Sequence, residues 1–408
     1  MSSAAAFDEQ AGMLMQGCEF GDPQLEVSVR DRLRARLAVA AGERRPLRVC
    51  TGYDPTAPDL HLGHSITLRA MKRFQRLGHH VIVVVGTMTA MVGDTSDRAA
   101  GRPRTSDDEV AAAGRSYAEQ AFTILDPART EVVANGDWLA GLAVPQILGL
   151  ASTFTVQQFL ARDNYRRRVE RGDPVGLHEF LYALLQGYDA VHLRADVQLG
   201  ATEQLFNIMA GAKLQEASGQ PPCVALMFPV LVGTDGTDRM SKSRGNYVGL
   251  TDSPAGQFGR IMSIPDHVMP QWVRLVTDWP ARQGEEFIAA LASGALHPME
   301  AKKQLGHRIV ELYHGSRAAD AAQQAFERTH QLRGQPDVIP EVTLHDPMHL
   351  VDLLVSIGAA SSKSDARRLI AGRGVSLNGQ KAPSGELVID ATVTIKVGPR
   401  RFYRIVFN

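Results

Sequence analysis

LRVCTGYDPTAPDLHLGHSITLRAMKRFQRLGHHVIVVVG, residues 47–86, sets the architecture of the first half of the chain. Its opening run, LRVCTGY (47–53), reads as a strand and leads into a proline-studded loop. From about His61 to Leu77, the residues Ile66, Leu68, Met71, Phe74 and Leu77 mark one apolar helix face, and Gly78 stands where a C-cap glycine is expected. HVIVVVG (80–86) is a continuous apolar strand of the kind buried in a parallel sheet. Strand, helix, strand predicts a right-handed crossover.

The alternation continues. SDDEVAAAGRSYAEQAFTIL (106–125) opens with Ser106 and Glu109 in capping-box register and reads as a helix, and TEVVAN (130–135) as a strand. LHEFLYALLQGYDAV (177–191), ADVQL (195–199), ATEQLFNIMAGAKLQEA (201–217) and PCVALMFPVLVG (222–233) repeat helix, strand, helix, strand. The fold class is therefore α/β, a doubly wound parallel sheet. Ligands of such sheets sit beyond the carboxyl ends of the strands, where the loop bearing His61 and His64 lies.

Beyond residue 250 the texture changes. Residues 254–333 are helical in pattern, and RGQPDVIPEVTLHDP (333–347) is proline-rich and polar, a linker. From Met348 a small unit begins with two helices and then strands, with Asn378-Gly379 as a hairpin turn. The expected division is 1–250, 251–335, a linker at 336–346, and 347–408.

Composition narrows the function classes. No apolar run in the 408 residues approaches the ~20 needed to cross a membrane. The opening MSSAAAFDEQAG has no basic region followed by an apolar core, so no secretory signal is expected. Cys18, Cys50 and Cys223 form no C-x-x-C pair, which points to a reducing cytoplasm rather than a disulfide framework or zinc ribbon. The formal net charge is zero, so any nucleic-acid binding needs a local basic patch.

His61 and His64 admit three readings. A metal site needs further ligands, and no Cys, His or acidic cluster at ligand spacing lies nearby, so no metal is expected. They can be structural histidines. Or they serve a nucleotide: a helix N-terminus offers unpaired N–H groups and a positive dipole end, Gly63 admits a flat base, and two imidazoles can hydrogen-bond phosphate oxygens. DRMSKSRGN (238–246) weighs toward the third. It follows a buried strand and a glycine-rich turn, reads as a mobile loop, and carries Lys242 on a long stem suited to following a departing phosphate.

HLGH together with RMSKS resembles the signature pair of the class I aminoacyl-tRNA synthetases. GYDPTAPDLHLGH, LHEFLYALLQGYDAV and RMSKSRGNYVG resemble, within that class, the bacterial tyrosyl-tRNA synthetases whose second signature reads K-M-S-K-S. The likeness spans nearly the whole chain. It implies a Rossmann-like catalytic domain, an α-helical anticodon-side domain and a small α+β RNA-binding domain like one in a small-subunit ribosomal protein. It also implies a cytoplasmic homodimer with one tRNA spanning both subunits. The implied reaction joins tyrosine to ATP, with Mg2+ on the phosphates, releases pyrophosphate, and passes the tyrosyl group to tRNA-Tyr.

The resemblance assigns roles residue by residue. His61 and His64 hold ATP phosphates, with Thr56 near the departing pyrophosphate and Lys242 and Arg239 as the basic residues of the signature loop. Arg98 and Arg102 engage pyrophosphate from another segment. Gly63, Gly200, Glu203, Gln204, Met240 and Ser241 complete the ATP site. Tyr182 and Gln186, with Asp94, take the tyrosine ammonium, and Asp189 takes the phenol. Asp54 faces the substrates, and Gln198 lines the carboxylate and ribose side. Tyr182, Gln186 and Asp189 also share one helix face by spacing alone.

Five residues depart from the family pattern. Cys50 stands where a tyrosine contacts the phenol, which predicts extra space near the ring. Glu203 replaces a ribose-binding aspartate, and Ala201 a glycine of the same turn. Thr95 replaces a proline, and Arg239 the first lysine of the loop motif. Two readings follow: neutral drift, or a copy specific for a substituted tyrosine or resistant to a tyrosine mimic.

The last 63 residues (346–408) hold nine Lys/Arg against five acids, a net +4 in a chain whose formal net charge is zero. Lys363, Arg367 and Arg368 fall at helical spacing with Arg373 just beyond, a face suited to an RNA backbone. Two rivals remain: a silent paralogue that only binds structured RNA, and a generic nucleotidyltransferase. The intact His61, His64, Lys242, Asp94 and Asp189 oppose the first. The basic tail and signature loop oppose the second.

Overall fold

The computed structural model describes residues 3–55, 59–93, 107–328, 339–398 and 401–407. The expected strands form one five-stranded sheet: β1 (Arg48–Tyr53), β2 (His80–Val85), β3 (Thr130–Ala134), β4 (Val197–Ala201) and β5 (Val224–Phe228). Its order is β3-β2-β1-β4-β5, every pair parallel. The strand order reverses between β1 and β4, so a crevice opens at their carboxyl ends. β2 is buried from Val81 to Val85, as its unbroken apolar run predicts.

Helix Leu62–Arg76 crosses between β1 and β2 and buries Leu62, Leu68, Met71 and Phe74 completely. Helix Asp107–Ala121 follows; Ser106, its expected cap, lies outside the described residues. The helix Leu177–Leu193 is anchored at its start by a buried ion pair. Glu179 takes Arg168 through both carboxylate oxygens and also accepts the Gly176 N–H. Two guanidinium N–H groups meet both carboxylate oxygens, and this paired contact offsets part of the cost of taking both charges out of water.

The chain divides into two compact units, Met1–Asp252 with Ser263–Lys302, and Ser253–Met262 with Lys303–Asn408. The helical stretch 251–335 is thus shared between them. Within the second unit, β6 (Glu341–Leu344), β7 (Met348–His349), β8 (Val375–Leu377), β9 (Gln380–Lys381), β10 (Val388–Ile389), β11 (Val393–Val397) and β12 (Arg401–Phe407) follow. They form a five-stranded sheet ordered β6-β12-β11-β8-β9 and a two-stranded one, β10-β7. Helices Leu350–Ser356 and Lys363–Ala371 share an apolar core with them, centred on Leu350, Leu353, Leu354, Ile395 and Ile405. Asn378 and Gly379 both take positive φ, +46° and +87°, and turn β8 into β9. That is the two-residue geometry an Asn-Gly pair favours.

Among the described residues no helix is long and apolar enough to cross a membrane.

Candidate active site

His61 is the N-cap of helix Leu62–Arg76, and His64 is its third residue. The Gly63 N–H donates to His61 Nδ1 at 3.1 Å, and the His61 N–H donates to His64 Nδ1 at 3.1 Å. The two rings lie 3.9 Å apart, tilted by 38°. This corrects one expectation. The helix N-terminus is not an open row of amides, because Leu62 N–H bonds Val248 O, His64 and Ser65 N–H bond His61 O, and the imidazoles take the rest. A ring nitrogen on the chain itself reaches these donors at a fixed short distance, as in other side-chain caps.

The cap settles the chemistry of the rings. A backbone N–H can only donate, so each Nδ1 is an acceptor and a neutral ring carries its proton on Nε2. Burial, then the charges of His64, Lys242 and Arg239, push His61 down to about 2. Burial, then Lys242, pushes His64 down to about 4. Both rings are therefore neutral Nε2–H donors through the ordinary pH range.

Both border a cavity of about 300 Å³ at the carboxyl ends of β1 and β4. Gly63 shares this wall, and a Cβ there would meet His61 Cε1 at 2.9 Å. The glycine thus makes room for the histidine cap as well as for a ligand.

At the inner end, Tyr182, Gln186 and Asp189 line the cavity together, as their shared helix face predicts. Asp54 accepts the Thr89 hydroxyl at 2.7 Å and the Tyr182 hydroxyl at 2.9 Å. Asp189 accepts Trp138 Nε1–H at 2.9 Å and Asn135 Nδ2–H at 3.2 Å. Burial pushes the Asp189 carboxyl up to about 7, the two hydrogen bonds pull it down, and the Asp54 charge adds to the rise. Gln186 Oε1 is buried without a hydrogen-bond partner among the described residues. An orphan acceptor on a cavity wall is a place for a donor from a ligand.

Gln198, Gly200, Glu203, Gln204, Arg239, Met240 and Ser241 close the other side. The signature loop is tied down in this state. Asn246 donates to Arg239 O at 3.0 Å and to Asp235 Oδ2 at 2.6 Å, and its Oδ1 accepts Ser241 N–H at 2.8 Å. Met240 N–H bonds Leu231 O at 2.8 Å. The loop reads as mobile from its small, polar and basic residues; hydrogen bonds and the buried Met240 hold it.

Two expected residues do not reach the wall. Lys242 turns to Asp59, Nζ to Oδ2 at 2.6 Å, with its ammonium 5.6 Å from the Tyr247 ring centre. Cys50 sits in an apolar cluster with Ile82, Val84, Ala190, Leu193 and Ala212, only 1% exposed, with Trp138 packed against the cluster. It shares a strand face with cavity-lining Gly52 but lies two residues earlier on β1, and its small side chain joins that cluster within reach of the Asp189 charge. Thr56, Asp94, Arg98 and Arg102 lie outside the described residues.

Asn135, Trp138, Thr89 and Asp59 carry the site without having been singled out in the sequence. Asn135 had a signal, a polar residue ending an apolar strand at the ligand end of the sheet. Trp138 had none.

In the second unit, Lys363, Arg367, Arg368 and Arg373 are all exposed. Lys363 pairs with Asp352 at 2.7 Å and Arg368 with Asp365 at 2.8 Å.

Comparison with known proteins fits this layout. Residues 42–331 match the family described as tRNA synthetases class I (W and Y), and residues 331–397 match a tyrosine–tRNA ligase SYY-like C-terminal domain. The chain is 43% identical to a tyrosine–tRNA ligase of Aquifex aeolicus over 89% of its own length and 92% of that protein's. It is 40% identical to one of Desulfotalea psychrophila over 98% and 99%. Its fold resembles a tyrosyl-tRNA synthetase of Archaeoglobus fulgidus complexed with L-tyrosine, at TM-score 0.60 and 20% identity, covering 78% of this chain and 99% of that one. A C-terminally truncated mitochondrial tyrosyl-tRNA synthetase of Aspergillus nidulans gives TM-score 0.61 at 21% identity, covering 80% and 94%.

Proposed function

Because the chain belongs to the tyrosine–tRNA ligases, within the class I tRNA synthetases, we propose a division of labour among its residues for that reaction. The enzyme activates tyrosine with ATP, giving tyrosyl-adenylate and pyrophosphate, and then passes the tyrosyl group to the 3′ end of its tRNA. The substituted-tyrosine and RNA-only alternatives find no support among these relatives.

In the first step a tyrosine carboxylate oxygen bonds to the α-phosphorus while the bond to the pyrophosphate oxygen breaks. No proton must move, so placement and charge stabilisation do the work. His61 and His64 suit this as neutral donors: their Nε2–H groups meet phosphate oxygens as charge shifts toward the leaving group. Lys242 exchanges Asp59 for pyrophosphate, with Arg239 beside it. Gly63, Gly200, Glu203, Gln204, Met240 and Ser241 receive the nucleotide. Mg2+ enters on the ATP phosphates as part of that substrate. Thr56, Arg98 and Arg102 keep their proposed pyrophosphate roles and Asp94 its ammonium role.

Tyrosine lies toward the inner end. Asp189 accepts the phenol O–H, Gln186 Oε1 and Tyr182 face the ammonium, Asp54 holds Tyr182, and Gln198 borders the carboxylate. The observation that carries this is the orphaned Gln186 Oε1 in the same cavity as the histidine pair.

Exposed Val144 and Leu148 on helix Val144–Ser152, and Leu205 and Met209 on helix Leu205–Ala217, flank exposed Leu177 on helix Leu177–Leu193, which contacts both, and they support a homodimer, since an exposed apolar patch marks an interface. Residues 1–250 serve activation, 251–335 the anticodon side, 336–346 the link and 347–408 RNA binding through Lys363, Arg367, Arg368 and Arg373. The place of work is the cytoplasm, with the tRNA.

Amino-acid-dependent ATP–pyrophosphate exchange tests the reading. Exchange with tyrosine and not phenylalanine is expected. Exchange with no amino acid would overturn it.

A further inference from the structure

Glu203 and Arg239 touch: Arg239 Nη1 donates to Glu203 Oε2 at 2.9 Å. Glu203 sits on the short turn Thr202–Gln204 after β4, and Arg239 on the signature loop, so the pair ties one cavity wall to the other. Both side chains are about one-third exposed, 29% and 32%, with room for a ligand beside them.

The backbone around Arg239 is fixed independently of its side chain. Arg239 forms an isolated bridge with Val232, its carbonyl accepts from Asn246, and Gly233 N–H bonds Asp238 O at 2.8 Å. Side-chain length therefore decides where the charge sits. An aspartate at 203 would end about 1.5 Å short, one carbon–carbon bond. That takes the contact out of hydrogen-bond range. A lysine at 239 brings a single ammonium, whereas a guanidinium offers five N–H donors in a rigid fork. The charge of Arg239 already reaches the histidine pair, helping to keep His61 unprotonated.

We propose that Glu203 is a positioning residue that holds the Arg239 guanidinium at the cavity wall, where its charge faces the ATP triphosphate, and that the two side chains are matched in length to each other. This rests on the reading of the cavity as the ATP site. Besides its own place on the nucleotide wall, Glu203 acts through Arg239, and shortening it is felt as misplacement of a charge.

The test is a double-mutant cycle of Glu203→Asp, Arg239→Lys and the double variant. It is read by calorimetric binding of a non-hydrolysable ATP analogue and by kcat and KM for ATP in tyrosine-dependent exchange. Each single variant is expected to weaken analogue binding and raise the KM for ATP by roughly three- to tenfold, with the double variant no worse than the poorer single, as coupled neighbours behave. The KM for tyrosine stays put. Independent effects that multiply in the double variant, or a Glu203→Asp enzyme with unchanged analogue binding, would overturn the pairing. A parent without exchange would sink the catalytic reading, while coupling in analogue binding still decides the pair.

Discussion

His64 Nδ1 accepts the backbone N–H of His61 at 3.1 Å, so the two histidines form a reciprocal cap on the helix they begin. Fold stability and phosphate contact share the same rings. His61→Ala is expected to lower stability by about 1 kcal/mol, the usual cost of a lost N-cap, and to slow exchange strongly. His61→Asn keeps a capping oxygen and an N–H donor, so its stability stays near the parent's and its exchange rate lies between the two. Urea unfolding beside exchange kinetics checks this. An Ala variant as stable as the parent would show that the cap contributes nothing.

Gly63 sets two effects against each other. Alanine inside a helix gains roughly 0.5–1 kcal/mol over glycine. The added Cβ, however, would meet His61 Cε1 at 2.9 Å and Nδ1 at 3.0 Å, so the ring must shift. A displacement near 1 Å at a reacting centre can cost about a hundredfold. Gly63→Ala should therefore leave the melting temperature nearly unchanged while kcat for exchange falls at least about tenfold. Full kcat would mean that the ring moves without consequence.

Asp189 makes stability depend on pH. Burial, its largest cause, raises the folded carboxyl to about 7. Unfolded, it titrates near ~4. The native state binds this proton more tightly, so its contribution to stability is full below ~4 and is lost as pH rises through about 7. Asp189→Asn removes that loss. Relative to the parent, the variant should gain on the order of 2 kcal/mol between pH 5 and 8, while losing its preference for tyrosine over phenylalanine. Denaturant unfolding at several pH values checks the slope. A gap independent of pH would refute the assignment.

Leu148 and Leu177 are 64% and 79% exposed, more than a monomer gains from leaving them in water. Leu148→Glu with Leu177→Glu should convert a dimer to monomers in analytical ultracentrifugation, with aminoacylation reduced. A parent that sediments as a monomer would remove the homodimer.

β2 and β5 were legible because Val81–Val85 and Val224–Phe228 are unbroken apolar runs, and helix Leu62–Arg76 because Leu68, Met71 and Phe74 repeat at helical spacing. Tyr182, Gln186 and Asp189 were legible as one face for the same reason. Cys50 lies in the core cluster two residues before cavity-lining Gly52, since strand alternation gives the face of a residue but not its depth.

Local pattern in the sequence thus determined the elements, the sheet class, the Asn378-Gly379 turn and the end of the sheet that holds the site. These depend on residues a few positions apart, where backbone geometry alone sets the spacing. Tertiary structure decided which distant side chains meet: Asn135 and Trp138 on Asp189, Asp59 on Lys242, Glu203 on Arg239. A strand or helix pattern carries no record of its neighbour across a cleft. Such contacts exist only once loops have closed and burial has chosen which polar groups must satisfy one another.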